Sequence, residues 1–263
     1  MPLGNSFNII KGGPKVRYFT FDITISSDTS AYDLSTVLKS MGWDEKQLVD
    51  GRITIDSGVT IGSAAGSPPS FSTLRIPVKS KIIIINNGSI IGKGGDGTFH
   101  VATPTKDNHG GDAMHLSTAT HYLLNNGTIA GGGGSGASIL ASSGGGAGVP
   151  PGLGLAAVPG DFRTAVTLGG KTHLVNVTAS ESGTRTTGGL GATCSSTTNT
   201  QIGTPGFVYG KGGDGGGLAS PGTASGGWVG QFRSGRNGGV AIVGKANLTI
   251  DSKSTGTILG GLT

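Results

Sequence analysis

The chain has 263 residues, enough for one large domain or two small ones, and 53 of them are glycine while only 13% are charged and 5% aromatic. Low charge together with 34% hydrophobic residues excludes simple disorder, and a net charge of +5 without any basic block excludes a nucleic-acid footprint. The single cysteine, Cys194, excludes an intrachain disulfide framework and a cysteine zinc cluster.

Glycine is unevenly placed: 8 fall in residues 1–87 and the other 45 in the remaining 176 residues. The glycine-poor part reads as α+β material. Arg17 to Ile25 (RYFTFDITI) alternates and is rich in β-branched and aromatic residues, so it predicts a strand. Tyr32 to Trp43 sets Leu34, Val37, Leu38 and Met41 at helical spacing, with Gly42 as the stop. Gly51 to Ile61 predicts two strands around a turn at Asp56-Ser57-Gly58. A small α+β N-terminal attachment region over residues 1–75 is therefore expected ahead of a glycine-rich recognition domain over 76–263.

The second region carries a degenerate repeat. Lys81-Ile-Ile-Ile-Ile-Asn-Asn-Gly-Ser-Ile-Ile-Gly-Lys-Gly-Gly95 is echoed by His121-Tyr-Leu-Leu-Asn-Asn-Gly-Thr-Ile-Ala-Gly-Gly-Gly-Gly134 and, more weakly, by Asn247 to Gly261. Each copy reads strand, tight turn, short strand, glycine exit, with Asn-Gly turns expected to supply positive φ. Gly110-Gly-Asp-Ala-Met114 and Gly238-Gly-Val-Ala-Ile242 form a shared entry, and Gly-Lys-Gly-Gly-Asp-Gly occurs at both 92–97 and 210–215.

Between the copies run glycine tracts at 131–136, 144–148, 188–191, 210–217 and 226–230. Such tracts are either flexible linkers or extended left-handed helices with three residues per turn, packed side by side because glycine lets backbones touch. Flanking Ile, Leu and Val favour the ordered form. The expected fold is mostly β with packed polyglycine II-type helices, a glycine-rich sandwich or solenoid-like array. Backbone hydrogen bonds would hold it, with little conventional core.

These motifs (NNGSIIGKGGDG, GGDAM and NNGTIAGGGG) resemble glycine-rich phage proteins over about residues 50–263. Similar are the distal tail-fibre adhesins of T-even-like phages and the glycine-rich ends of siphophage host-specificity proteins. The resemblance implies a polyglycine lattice between β layers, with variable loops at its tip that recognise outer-membrane proteins or lipopolysaccharide.

Enzymatic and cofactor chemistry find little support. The two Gly-Lys-Gly-Gly-Asp-Gly copies match G-x-G-x-x-G formally, but no helix follows either, and the Asp spacing misses the calcium nonapeptide. Neither a zinc-protease His pattern nor a paired-carboxylate glycosidase pattern is present. No cofactor and no metal are expected, and the protein is read as a binder. The candidate receptor-binding residues are the few large ones among the glycines: Phe162, Arg163, Phe207, Tyr209, Trp228, Phe232, Arg233 and Arg236. The same side chains would equally serve as edge packing.

The opening MPLGNSFNIIKGGPK has no secretory pattern, and the longest aliphatic run, Ile82 to Ile85, is too short to span a membrane. A virion tail component assembled in the host cytoplasm fits that combination. Expected partners are other tail or fibre proteins, met through the N-terminal region, and a bacterial outer-membrane protein or surface glycan. A homotrimer and a monomer capping a trimeric fibre both remain open. The competing readings are a structural tail decoration without a receptor and an ice-binding or surface-coat polyglycine bundle. The uneven tracts disfavour the ice binder.

Overall fold

The computed structural model describes residues 17–64, 68–97, 109–137, 143–154, 164–168, 171–177, 179–196, 208–211, 214–227 and 234–263. Its parallel strands wind as a three-sided coil. The first turn is β1 (Tyr18–Ile25), β2 (Thr29–Ser30) and β3 (Tyr32–Asp33), and α1 (Leu34–Ser40) leads into the second, β4 (Leu48–Ile55), β5 (Thr60–Gly62) and β6 (Phe71–Ser72). The third is β7 (Lys81–Asn86), β8 (Ser89–Ile91) and β9 (Met114–His115), and the fourth begins with β10 (Thr120–Asn125) and β11 (Thr128–Ala130). A long excursion then carries β12 (Thr164–Leu168), β13 (Lys171–Val177), β14 (Thr193–Ser196), β15 (Val208–Lys211) and β16 (Gly226–Gly227). The chain returns as β17 (Ile242–Val243) and closes with β18 (Leu248–Ile250), β19 (Thr257–Leu259) and a bridge from Leu262 to Ile242. Three parallel sheets result, ordered β1-β4-β7-β10-β18, β19-β11-β8-β5-β2 and β17-β9-β6-β3.

The repeat explains this stacking. Copies pair with each other, not within themselves: Lys81 to Asn86 lies in register with Thr120 to Asn125, and Ser89-Ile90-Ile91 with Thr128-Ile129-Ala130. The shared entries pair likewise, Met114 with Ile242. Strand alternation sends every second side chain inward, so Ile82 and Ile84 are buried while Ile83 between them is 41% exposed. Stacked turns then build apolar ladders, Ile23-Ile53-Ile84-Leu123 on the first side and Ile61-Ile90-Ile129-Ile258 on the second. Each fully buried isoleucine contributes about 1.5–3 kcal/mol of transfer free energy. A continuous hydrophobic core therefore fills the coil, which corrects the expectation of little conventional core there.

Corners are held by polar ladders. Asn86 Nδ2 donates to Asn125 Oδ1 at 2.7 Å, and Asn126 Nδ2 donates to Asn87 Oδ1 at 2.9 Å. The Asn-Gly glycines Gly88 and Gly127, and Gly256 at the equivalent place after Thr255, depart from expectation, because none adopts positive φ. They are glycine for another reason: a Cβ on Gly127 would collide with the Gly88 carbonyl, and one on Gly256 with the Gly127 carbonyl. Gly58 and Gly42 do take positive φ, +82° and +97°, at the predicted turn and helix stop. The helix itself is shorter than residues 32–43. Asp33 caps it by accepting from Thr36 N–H at 2.8 Å, and Trp43 N–H turns back onto the Leu38 carbonyl at 3.0 Å.

Glycine-rich segments leave the coil between its second and third sides and bond to one another. Along 131–137, Gly133 and Gly136 N–H both reach the segment at 143–149, while Gly134 and Ala137 N–H both reach the segment at 214–223. Along 143–149, Gly145 and Gly148 donate to 181–191, and Gly146 and Val149 to 92–97. Donors three residues apart thus share a neighbour, in distances of 2.7–3.1 Å. The spacing leaves no room for side chains, since a Cβ on Gly132 would overlap the Lys93 carbonyl and one on Gly146 the Gly133 carbonyl. Strands β12-β13-β14-β15-β16 form a separate antiparallel sheet, joined in sequence to the segments at 179–191 and 214–223.

Candidate recognition surface

The described acids of the glycine segments hold the lattice together. Asp96 Oδ1 accepts from Leu153 N–H at 2.8 Å, and Asp214 Oδ1 accepts from Gly191 N–H at the same 2.8 Å. These are the aspartates of the two identical hexapeptides, so the motif's work is to pin a backbone donor of a neighbouring segment. Asp96 also pairs with the nearly buried Lys93 at 2.6 Å. Asp112 accepts from Val240 N–H at 2.7 Å and from His115 Nε2 at 2.9 Å. Burial pulls the Asp112 pKa up, but those two hydrogen bonds and the imidazole beside it outweigh burial and hold it below the ordinary carboxylate value. Among the described residues no group of three or more His, Cys, Asp or Glu could hold a metal ion, and no helix is long and apolar enough to cross a membrane.

His121 lies in the coil, wholly buried, with Thr73 Oγ1 2.9 Å from Nε2. Burial pushes its pKa down to about 4, so it packs as a neutral ring in the ladder between Ile82 and Leu248.

Of the candidate contact residues, Phe162, Arg163, Phe207, Trp228, Phe232 and Arg233 lie outside the described residues. In sequence they flank strands of the antiparallel sheet: Phe162 and Arg163 adjoin β12, Phe207 precedes β15, and Trp228 follows β16. Tyr209 lies on β15, where pairing passes from Cys194 with Gly210 to Ser195 with Val208, leaving Tyr209 as the extra residue of a bulge. Bulges of this kind re-aim a side chain or end a pairing. Arg236 is placed directly. Its N–H donates to the Ser135 carbonyl at 2.9 Å and its carbonyl accepts from Gly222 N–H at 2.9 Å, which locks its backbone into the lattice. The clamping role of the acids was missed by sequence reasoning, although two copies of one hexapeptide with Asp at the same place were a usable signal.

Comparisons with known proteins agree with this architecture. No curated protein matches the chain. A solved chain of the gp37–gp38 adhesin tip complex of the bacteriophage S16 long tail fibre shares the fold at a TM-score of 0.50 and 18% identity. The match covers 94% of this chain and 82% of that one. The family model described as phage tail fibre adhesin Gp38 matches residues 20–263, nearly the whole coil and all of the glycine region, and so this chain belongs to the Gp38 family of phage tail fibre adhesins.

Proposed function

We propose that the chain attaches phage to a bacterial surface receptor, an outer-membrane protein or a surface polysaccharide, through loops carried at the far end of the glycine lattice. The family is one of tail-fibre adhesins, non-enzymatic in kind and located on the virion tail. The observation that carries the receptor reading is the bonding of glycine segments on every side, with donors three residues apart sharing a neighbour. That periodicity supports polyglycine II-type helices at three residues per turn. A scaffold fixed in this way presents loops that lose little entropy on binding. Phe162, Arg163, Phe207, Tyr209, Trp228, Phe232, Arg233 and Arg236 are the proposed contact residues. Multiple copies on one virion would add avidity.

At the other end, residues 1–75 are proposed to join the fibre, and the solved tip complex, which pairs gp37 with gp38, supports a fibre protein as the partner. The division into attachment and recognition regions is one of function, because β4 and β7 pair across it within one sheet. Assembly in the host cytoplasm, with no cofactor or metal, completes the proposal. Purified protein should bind susceptible cells and block phage adsorption. Absence of both effects favours a structural decoration instead.

A further inference from the structure

We propose that Arg236 is a fixed receiving point for a carboxylate of the host receptor, a reading that rests on the receptor-binding function above. The backbone of Arg236 is bonded on both sides, to Ser135 and Gly222. Its place marks the edge of the lattice. Three residues along, at Gly239, a Cβ would collide with the Gly111 carbonyl, whereas the same phase of the segment at 236 accommodates a full guanidinium side chain.

That side chain is held in an unusual electrostatic state. Its Nε is shut off from solvent and has no acceptor. The residue as a whole is only half-buried, so the Nη end of the guanidinium is the part that meets water. Arg236 has no ion-pair partner among the described residues, where Arg52 is neutralised by Asp22 at 2.5 Å and Lys93 by Asp96. The acids of the surrounding segments, Asp112 and Asp214, are turned to backbone N–H groups of the lattice.

A cation covered on one side by low-dielectric protein attracts an anion more strongly than a fully hydrated one, and here its stem is fixed before the partner arrives. Arginine's planar fork matches a carboxylate in two parallel hydrogen bonds. A carboxylate is therefore the assigned partner.

The test uses the full chain labelled with 15N-arginine, with R236K identifying the Arg236 Nε resonance. Sodium acetate should shift that resonance saturably, while sodium chloride at equal ionic strength should not. No acetate shift, or an equal chloride shift, overturns the proposal. A stronger response to phosphate than to acetate overturns the carboxylate assignment in favour of a phosphorylated saccharide. In parallel, R236Q with an unchanged backbone spectrum should bind susceptible cells about tenfold or more weakly than the wild type. Equal binding by R236Q and wild type sinks the inference while leaving the adhesin reading intact. Failure of the wild type to bind cells sinks the adhesin reading and the inference together.

Discussion

The coil and the lattice are two ways of ordering one chain, and they fail in opposite directions. In the coil, side chains fill an interior, so Ile53, Ile84 and Leu123 are fully buried against one another. In the lattice, backbones fill the interior, and buried side chains are as small as Ala137 and Ala147. The coil should therefore be broken by removing atoms and the lattice by adding them. Glycine's entropic cost, about 0.5–1 kcal/mol per residue relative to alanine, is tolerable only where close approach is rewarded with bonds on several sides.

The largest effect is expected from one added methyl group. Gly132 donates to Gly111 at 2.9 Å and accepts from Gly239 at 2.7 Å, and its Cβ position is occupied by the Lys93 carbonyl. A backbone carbonyl cannot rotate aside as a side chain would. Gly132→Ala should cost about 4 kcal/mol or more in chemical denaturation, above the usual 1–3 kcal/mol of overpacking. In the wild type, amides of Gly95, Gly133 and Gly146 should resist hydrogen exchange as strongly as those of β7. Free exchange at these glycines means the lattice is not rigid.

Subtraction in the coil comes next. Ile84→Ala empties the centre of the first-side ladder and should cost about 3 kcal/mol by the same measurement. The contrast is sharpened by Ile83→Ala on the adjacent outward position, which is 41% exposed and should cost under about 1 kcal/mol. Equal losses at the two positions would mean that the inside and outside of the coil have been misassigned.

Acid should act on the coil through His121. Its folded pKa, about 4, lies below the free value of 6.5, so the unfolded chain binds the proton more readily. The stabilising contribution is complete above pH 6.5 and drains away as pH falls from 6.5 towards 4, reaching about 3 kcal/mol in all. Denaturation at pH 7 and pH 4 measures it. His121→Leu, which keeps an apolar ladder between Ile82 and Leu248, should flatten that part of the pH profile. An unchanged profile assigns the acid sensitivity elsewhere.

Much of the coil was legible because its repeat is a register: the Asn-Asn-Gly copies sit 39 positions apart, and Asn86 bonds Asn125 across that separation. Other parts were not. The third side is built from the two-residue strands β3, β6, β9 and β17, too short to leave any alternation in a sequence. A strand–turn–strand unit looks the same whether its partner is its own second strand or the next copy, so the coil could not be told from separate turns. Gly127 looked like a turn residue because a φ requirement and a close-approach requirement both select glycine. In the recognition region, Arg236 could be singled out by residue type alone, whereas the roles of Asp96 and Asp214 depend on N–H groups 57 and 23 residues away. Asp214→Ala should show the modest size of such a clamp, about 1–2 kcal/mol, through the part-buried Gly191 donor it leaves behind.

The smallest effect tests whether close approach, and not glycine content, makes the lattice. Gly217 sits in the run Asp214 to Gly217, beside glycines whose Cβ positions are blocked by carbonyls of Gly145 and Ser220. Its own Cβ would meet only the Thr186 carbonyl at 3.6 Å, ordinary van der Waals contact, and its φ is not in the left-handed region. Gly217→Ala should therefore change stability by less than about 0.5 kcal/mol, or raise it slightly by restricting the unfolded chain. Gly215→Ala, two residues away with its Cβ against the Gly145 carbonyl, should unfold the lattice. If the two substitutions cost the same, some property shared by every residue of the tract governs its order, and the carbonyl-by-carbonyl packing of the lattice is the wrong explanation.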